Sequence, residues 1–240
     1  MRQCRAMADD PVLVITGASS GIGAATARRA AEAGYRLVLG ARRKKALDEL
    51  ARELGGRDRA IARSCDVTDW ADVEGLAEVA MERFGHIDAV FANAGFGAKR
   101  GFLEESVPHW KAMIDTNILG VALTIRATLP HLLERDSGHY VITSSVAGRR
   151  VLPGSLYSAT KWAAAAIGEG LRQELRQMHE TERIRVTLVA PGMTDTEFFD
   201  NRPAKALDAD DVARAVVYAL SQPPHVDVNE ILIRPASQSA

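Results

Sequence analysis

The chain has 240 residues, 47% of them hydrophobic, and a formal net charge of −1. That length holds one substantial core and suits a single α/β domain over 1–240. The near-neutral balance argues against a dedicated nucleic-acid or membrane-surface protein. Cys4 and Cys65 form neither a metal-ligand spacing nor a disulfide framework, so no metal site is expected and a reduced, cytoplasmic setting is.

Residues 1–10 read as a flexible tail. The apolar run Val12-Leu13-Val14-Ile15 is too short for a signal core or a membrane span, and no cleavage pattern follows it. It reads as a buried, β-branched strand over 12–16. Gly17-Ala18-Ser19-Ser20-Gly21-Ile22-Gly23 follows, then an alanine-rich helix over 24–33 closed by Gly34. Strand, glycine turn and helix together make a dinucleotide-binding context. Glycines let the backbone approach a pyrophosphate, and the helix N-terminus presents N–H groups. A tight turn with no ligand is the plainer alternative.

A second strand is expected over 36–40. Dinucleotide logic puts an acid at its end if a ribose 2′-hydroxyl is to be bound. Here Ala41 is followed by Arg42 and Arg43, whose guanidiniums match a 2′-phosphate. A solvated basic helix start, continued by Lys44 and Lys45, is the other reading. Helix over 46–54, strand over 60–65, and a helix capped by Asp69 and ended by Gly85 come next. A fourth strand over 88–92 leads into Asn93-Ala94-Gly95. This alternation predicts a Rossmann-type, doubly wound parallel sheet of about seven strands with helices on both faces.

Residues 104–135 predict a long helical stretch broken near Pro108, which suits a first-turn position. Asn117 lies in it among Ile114, Ile118, Val121 and Ile125, where an amide needs partners. Either it bonds neighbouring backbone, or it holds a local helix distortion and orders water near Lys161. A fifth strand over 139–143, a helix to about residue 179, a sixth strand over 184–189, a helix capped by Asp208 and a last strand over 230–233 complete the chain.

The helix after the fifth strand carries Tyr157-Ser158-Ala159-Thr160-Lys161. Residues four apart share a helix face, so Lys161 lies below the Tyr157 phenol. An ammonium there should pull the phenol down from its ordinary value near ~10, giving an acid/base for neutral pH. Alone, such a pair is commonplace. The remainder of the chain gives it weight.

Thr16 to Gly23, Asp66, Asn93-Ala94-Gly95, Asn117, Ser144, Tyr157, Lys161 and Pro191-Gly192 stand in the order and spacing of the classical short-chain dehydrogenases/reductases, which this chain resembles from residue 12 to 235. Residues 113–117, 194–197 and 230–235 are most similar to bacterial NADP-dependent reductases of the clavulanic acid dehydrogenase and serine (3-hydroxy acid) dehydrogenase type. The resemblance implies Tyr157 as catalytic acid/base and Ser144, thirteen residues earlier, as the serine holding the substrate oxygen. Ser145 fits that spacing less well. It implies Lys161 on the nicotinamide ribose and Asn117 completing a proton relay. For NADP(H) it implies Gly17, Ser19, Ser20, Gly21, Ile22 and Gly23 at the pyrophosphate, with Arg42 and Arg43 at the 2′-phosphate. Asp66 and Val67 would hold adenine, and Asn93, Ala94 and Gly95 the adenosine ribose region. Pro191, Gly192, Thr194 and Thr196 fall at the nicotinamide end. Ala92 departs from the family, which usually has another Asn there.

The expected reaction is hydride transfer between nicotinamide and a small-molecule carbonyl or secondary alcohol. A nucleotide-binding redox sensor on the same fold, or a lyase or dehalogenase, would lose part of this set. Assembly into a homo-oligomer, tetramer or dimer, is expected from the resemblance and from the apolar, alanine-rich helices over 118–132 and 163–175. The short connection over 198–207 predicts an open active-site mouth. Lys99-Arg100 and Arg149-Arg150 border it, as a ligand-selecting rim or as plain solvated surface.

Overall fold

The computed structural model describes residues 10–198 and 205–238; most of the expected N-terminal tail lies outside them. In chain order the elements are β1 (Val12–Thr16), α1 (Gly21–Glu32), β2 (Arg36–Ala41), α2 (Lys44–Glu53), β3 (Ala60–Ser64), α3 (Trp70–Phe84) and β4 (Ala89–Ala92). There follow α4 (Val107–Ile114), a π-helical turn (Asp115–Leu119), α5 (Gly120–Arg135), β5 (Gly138–Thr143), α6 (Leu156–Gln177) and β6 (Ile184–Pro191). The chain continues with β7 (Thr194–Asp195), β8 (Leu207–Asp208), α7 (Ala209–Leu220) and β9 (Glu230–Ile233).

Seven strands form one parallel sheet in the order β3-β2-β1-β4-β5-β6-β9. Side chains alternate faces along a strand. In β1, Val12 and Val14 join the layer that includes Leu76 and Val121, whereas Leu13 and Ile15 join the one that includes Ala27 and Val212. Both faces are therefore covered by helices, which is why the strands read as unbroken apolar runs. Strand order reverses between β1 and β4, and the crevice beyond their C-terminal ends is where such sheets take ligands.

Three local departures from the sequence expectation bear on that crevice. Helix α1 begins at Gly21, three residues before the alanine run. The strands β7 and β8, two residues each, pair in parallel beside the main sheet, and their length hides them from any periodicity. Helical backbone runs unbroken from Val107 to Arg135, with Pro108 in the first turn and the π-helical turn around Asn117. This rod is long and apolar enough to cross a bilayer by length and composition alone, but half of its most apolar window is buried, and its α5 part packs on α3 and α6.

Candidate active site

The cofactor end is built from backbone. Gly17 is left-handed (φ +68°), and a Cβ there would lie 2.9 Å from Ala94 Cα. A Cβ on Gly23 would lie 2.3 Å from the Gly17 carbonyl oxygen, so only hydrogen fits between helix and turn. Ser20 is extended at the N-cap of α1 and makes no side-chain cap, and the first turn has no acid. The N-terminal N–H groups of a twelve-residue helix thus face the crevice without a capping oxygen, as an anion site requires. These features fit a dinucleotide pyrophosphate. Ile22 packs its side chain on the core below.

Two arginines flank the end of β2. Arg43 donates from Nε to Ser19 Oγ at 3.2 Å, from Nη2 to Ser20 Oγ, and from Nη1 to Glu197 Oε2 at 2.6 Å. Arg42 acts on the other side, near Asp66. Burial works to raise the Asp66 carboxyl, but hydrogen bonds from the Thr68 N–H (3.0 Å) and hydroxyl (2.8 Å), with the Arg42 charge, hold it below its ordinary value. The Val67 side chain is buried, and a Cβ on Gly120 would press on it at 2.6 Å, so only its main chain is available to a ligand.

Asn93 is a brace. Its Nδ2 donates to the Thr16 carbonyl at 3.2 Å and the Gly17 carbonyl at 3.4 Å, and its Oδ1 accepts from Thr143 Oγ1 at 3.1 Å. Its amide ties the glycine turn to the end of β5, so what Asn93 offers the expected ribose region is its backbone. Thr16 Oγ1 accepts from the N–H groups of Asn93 (3.1 Å) and Ala94 (3.3 Å). A Cβ on Gly95 would lie 2.9 Å from Asn117 Oδ1 and 3.5 Å from Lys161 Nζ, which places its bare backbone beside both.

Asn117 is buried and fully engaged. Its Oδ1 accepts from the Phe96 N–H at 3.0 Å; its Nδ2 donates to the Phe96 carbonyl at 2.9 Å and to Thr160 Oγ1 at 3.0 Å. The amide therefore pins the β4 loop to α6, across a helix distortion of the kind common at functional sites.

Lys161 Nζ donates to the Thr143 carbonyl at 3.0 Å and sits 5.7 Å from the Tyr157 ring centroid. Burial lowers this ammonium to about 8. Tyr157 is only half-buried as a residue, yet its phenol is raised by burial to about 12, with a hydrogen bond to the Ser145 hydroxyl working the other way. The expectation of a lysine-lowered phenol is thus reversed in the protein without cofactor. Burial is the largest cause and sets the direction.

The serine expectation is corrected too. Ser144 Oγ is buried and donates to the Lys161 carbonyl at 3.0 Å. Ser145, N-cap of the short turn Val146–Gly148, accepts the Ala147 N–H at 3.1 Å, donates to the Pro191 carbonyl at 3.4 Å and is the serine that lowers the Tyr157 phenol. Counting back from Tyr157 misassigns the pair because an irregular loop separates them, and a loop has no fixed rise per residue. The available signal was the cap: a serine opening a short Ser-Val-Ala-Gly turn presents its hydroxyl at the strand end.

At the nicotinamide end, Gly192 N–H donates to the Ile233 carbonyl at 2.7 Å and Thr194 Oγ1 to the Gly192 carbonyl at 3.1 Å. Thr196 lies against Gly21, where a Cβ would meet its Cγ2 at 3.1 Å. Two further contacts were not anticipated. Glu197 reaches Arg43, and Phe198 packs on the Tyr157 ring with centroids 5.5 Å apart and planes tilted by 60°. Phe198 covers part of the mouth expected to be open, and the rest of that expectation falls on 199–204, outside the described residues. Of the basic pairs, Arg149 is held by Glu230 at 2.7 and 3.0 Å and so is already partnered. Among the described residues, no group of three His, Cys, Asp or Glu is placed to hold a metal.

An uncapped helix over a glycine turn at a sheet's switch point, facing a Tyr–Ser–Lys cluster, defines a nicotinamide-dependent oxidoreductase of the doubly wound α/β class. The family model for short chain dehydrogenase matches residues 11–206, and the chain belongs to that family. An uncharacterized oxidoreductase of Staphylococcus saprophyticus is 42% identical over 244 residues, covering 96% of this chain and 98% of that one. Among solved structures, an alcohol dehydrogenase from the archaeon Thermococcus sibiricus, complexed with 5-hydroxy-NADP, is 35% identical with TM-score 0.85, covering 96% and 98%. A serine dehydrogenase complexed with NADP+ is 31% identical with TM-score 0.87, covering 95% and 96%. A short chain dehydrogenase/reductase from Burkholderia phymatum in complex with NAD is 29% identical with TM-score 0.84, covering 95% and 90%. The chain is a hydride-transfer oxidoreductase that uses a nicotinamide cofactor and acts on small molecules.

Proposed function

We propose that this protein is an NADP(H)-dependent reductase of small-molecule carbonyls, working as one domain over its whole length. The observation that carries the reading is Lys161 Nζ 5.7 Å from the Tyr157 ring centroid, with the Ser145 hydroxyl near enough to pull the phenol down against its burial. Bound nicotinamide supplies the hydride. Tyr157, protonated at neutral pH, gives its phenolic proton to the substrate oxygen as negative charge develops there. Ser145 donates a hydrogen bond to the same oxygen. Lys161 orients the nicotinamide ribose and steadies the phenolate left behind. Asn117 holds the π-helical turn, and the backbone freed there orders the water that returns the proton.

NADP(H) is favoured because Arg42 and Arg43 stand where an acid would select the 2′-hydroxyl. Gly17, Ser19, Ser20, Gly21, Ile22 and Gly23 take the pyrophosphate, Asp66 and the Val67 main chain the adenine. Pro191, Gly192, Thr194 and Thr196 take the nicotinamide end. A reducing, cytoplasmic setting suits Cys65, a buried free thiol raised by burial to about 12.

The test is a panel of ketones and keto acids assayed by loss of NADPH or NADH absorbance, with Tyr157→Phe and Arg42→Ala beside the parent. Tyr157→Phe should lose ~10²–10⁴-fold in kcat and bind NADPH as the parent does. Arg42→Ala should raise KM for NADPH far more than for NADH. A Tyr157→Phe variant with half the parental kcat assigns proton transfer to another group.

A further inference from the structure

Arg43 and Glu197 are 154 positions apart in sequence, yet their side chains meet at 2.6 Å. The contact is held from both sides. Before it, β7 is fixed by pairing with β8, Leu207 N–H donates to the Met193 carbonyl at 2.9 Å, and Met193 N–H donates to Gln238 Oε1 at 2.9 Å. Thr196 rests on Gly21, and Phe198 rests on Tyr157 and against Gly97. With both neighbours seated, the Glu197 carboxylate is delivered to the guanidinium that stands over Ser19 and Ser20.

We propose that Glu197 is a specificity-determining residue for the cofactor, its carboxylate competing with the 2′-phosphate for Arg43 and so moderating the preference for NADP(H) over NAD(H). This rests on the reading that the end of β2 receives that phosphate. Carboxylate and phosphate match the same planar fork of N–H donors. NAD(H) carries a neutral hydroxyl in place of the phosphate, so a negative charge at residue 197 acts against one cofactor and hardly against the other. The pair is half-exposed, at 52% and 66% of the two side chains, which makes it breakable by an arriving dianion.

The experiment is calorimetric titration of NADP+ and NAD+ into the parent, Glu197→Gln, Arg43→Ala and the double variant. Glu197→Gln keeps size and removes the charge at an exposed position. NADP+ should bind about fivefold tighter to Glu197→Gln, with NAD+ changed by less than about twofold, as expected for removing one nearby charge in a mostly aqueous setting. The gain should shrink in about 0.5 M salt, and it should vanish in the Arg43→Ala background, because the two residues act through each other. Equal tightening of both cofactors, no change, or weaker NADP+ binding overturns the proposal. If the parent prefers NADP+ and Arg42→Ala removes that preference while Glu197→Gln does nothing, the cofactor reading stands and only the role of Glu197 falls. A parent that binds both cofactors equally, with Glu197→Gln and Arg42→Ala no different from it, removes both.

Discussion

Ser145 acts on the Tyr157 phenol, pulling it down against its burial, while Ser144, one residue earlier, donates to the Lys161 carbonyl 3.0 Å away. Adjacent residues at a strand end face opposite ways, so two serines side by side in sequence have separate tasks. Ser145→Ala should lower kcat by ~10²–10³-fold with NADPH affinity unchanged, because it removes a donor to a developing oxyanion. Ser144→Ala should mainly destabilise the fold, by about 1–2 kcal/mol for a buried bond lost. Steady-state kinetics and urea unfolding of both variants separate the roles, and the opposite pattern returns catalysis to Ser144.

The raised Tyr157 phenol gives the two reaction directions different pH profiles. Reduction needs the phenol, which is the dominant form well below about 12. Its kcat should be nearly flat from pH 6 to 8. Alcohol oxidation needs the phenolate, so kcat/KM should climb steadily from pH 7 to 10, by about tenfold per unit at most. Parallel profiles in the two directions would remove Tyr157 from the proton step.

Lys161 makes the fold's stability depend on pH. Its folded value, about 8, lies below that of a free lysine, near ~10.4. Between those values the unfolded chain binds more protons, so the parent gains stability as pH rises through that window. Below about 8 both states are protonated and the full cost of the buried charge is present. Lys161→Met removes the group. The parent should gain on the variant between pH 7 and 10 by up to about 3 kcal/mol. Above pH 10 Tyr157 works the other way, because its folded value lies above the unfolded one. A difference in unfolding free energy that stays constant from pH 7 to 10 contradicts the buried ammonium.

Leu119 and Trp162, each 46% exposed, lie at the start of α5 and in α6, and Ile114 is 37% exposed at the end of α4. Side chains of this size at the surface of the two apolar helices support a homo-oligomer of two or four copies. Light scattering at micromolar concentration should give a multiple of 25.9 kDa, and Trp162→Glu should lower it. A parent mass near the single chain discards the expectation.

Sequence legibility tracked the physics of each element. The central strands β1 and β4 were readable because burial on both faces demands unbroken apolar runs, whereas the edge strands β3 and β9 are partly exposed and carry polar residues. The caps at Asp69 and Asp208, and Gly85 beyond α3, were readable because caps use few residue types. The start of α1 was not, since Gly21 and Gly23 are poor helix formers placed there for close approach. The distortion at Asn117 was one of two readings of a single buried amide, and its partners, the Phe96 backbone and Thr160, come from elsewhere in the chain. Glu197 and Phe198 were missed for the same reason. Their meaning lies in what they touch, and nothing local in the sequence announces it.

Lys161 is tied to the end of β5 twice, by its side chain to the Thr143 carbonyl and by its own carbonyl to Ser144. Neither tie exists until α6 has docked on β5. Turnover therefore needs α6 seated on β5 and not merely helical, because both ties run between the two elements. A change that loosens this seat while sparing the far-ultraviolet helix signal should silence the protein without unfolding it.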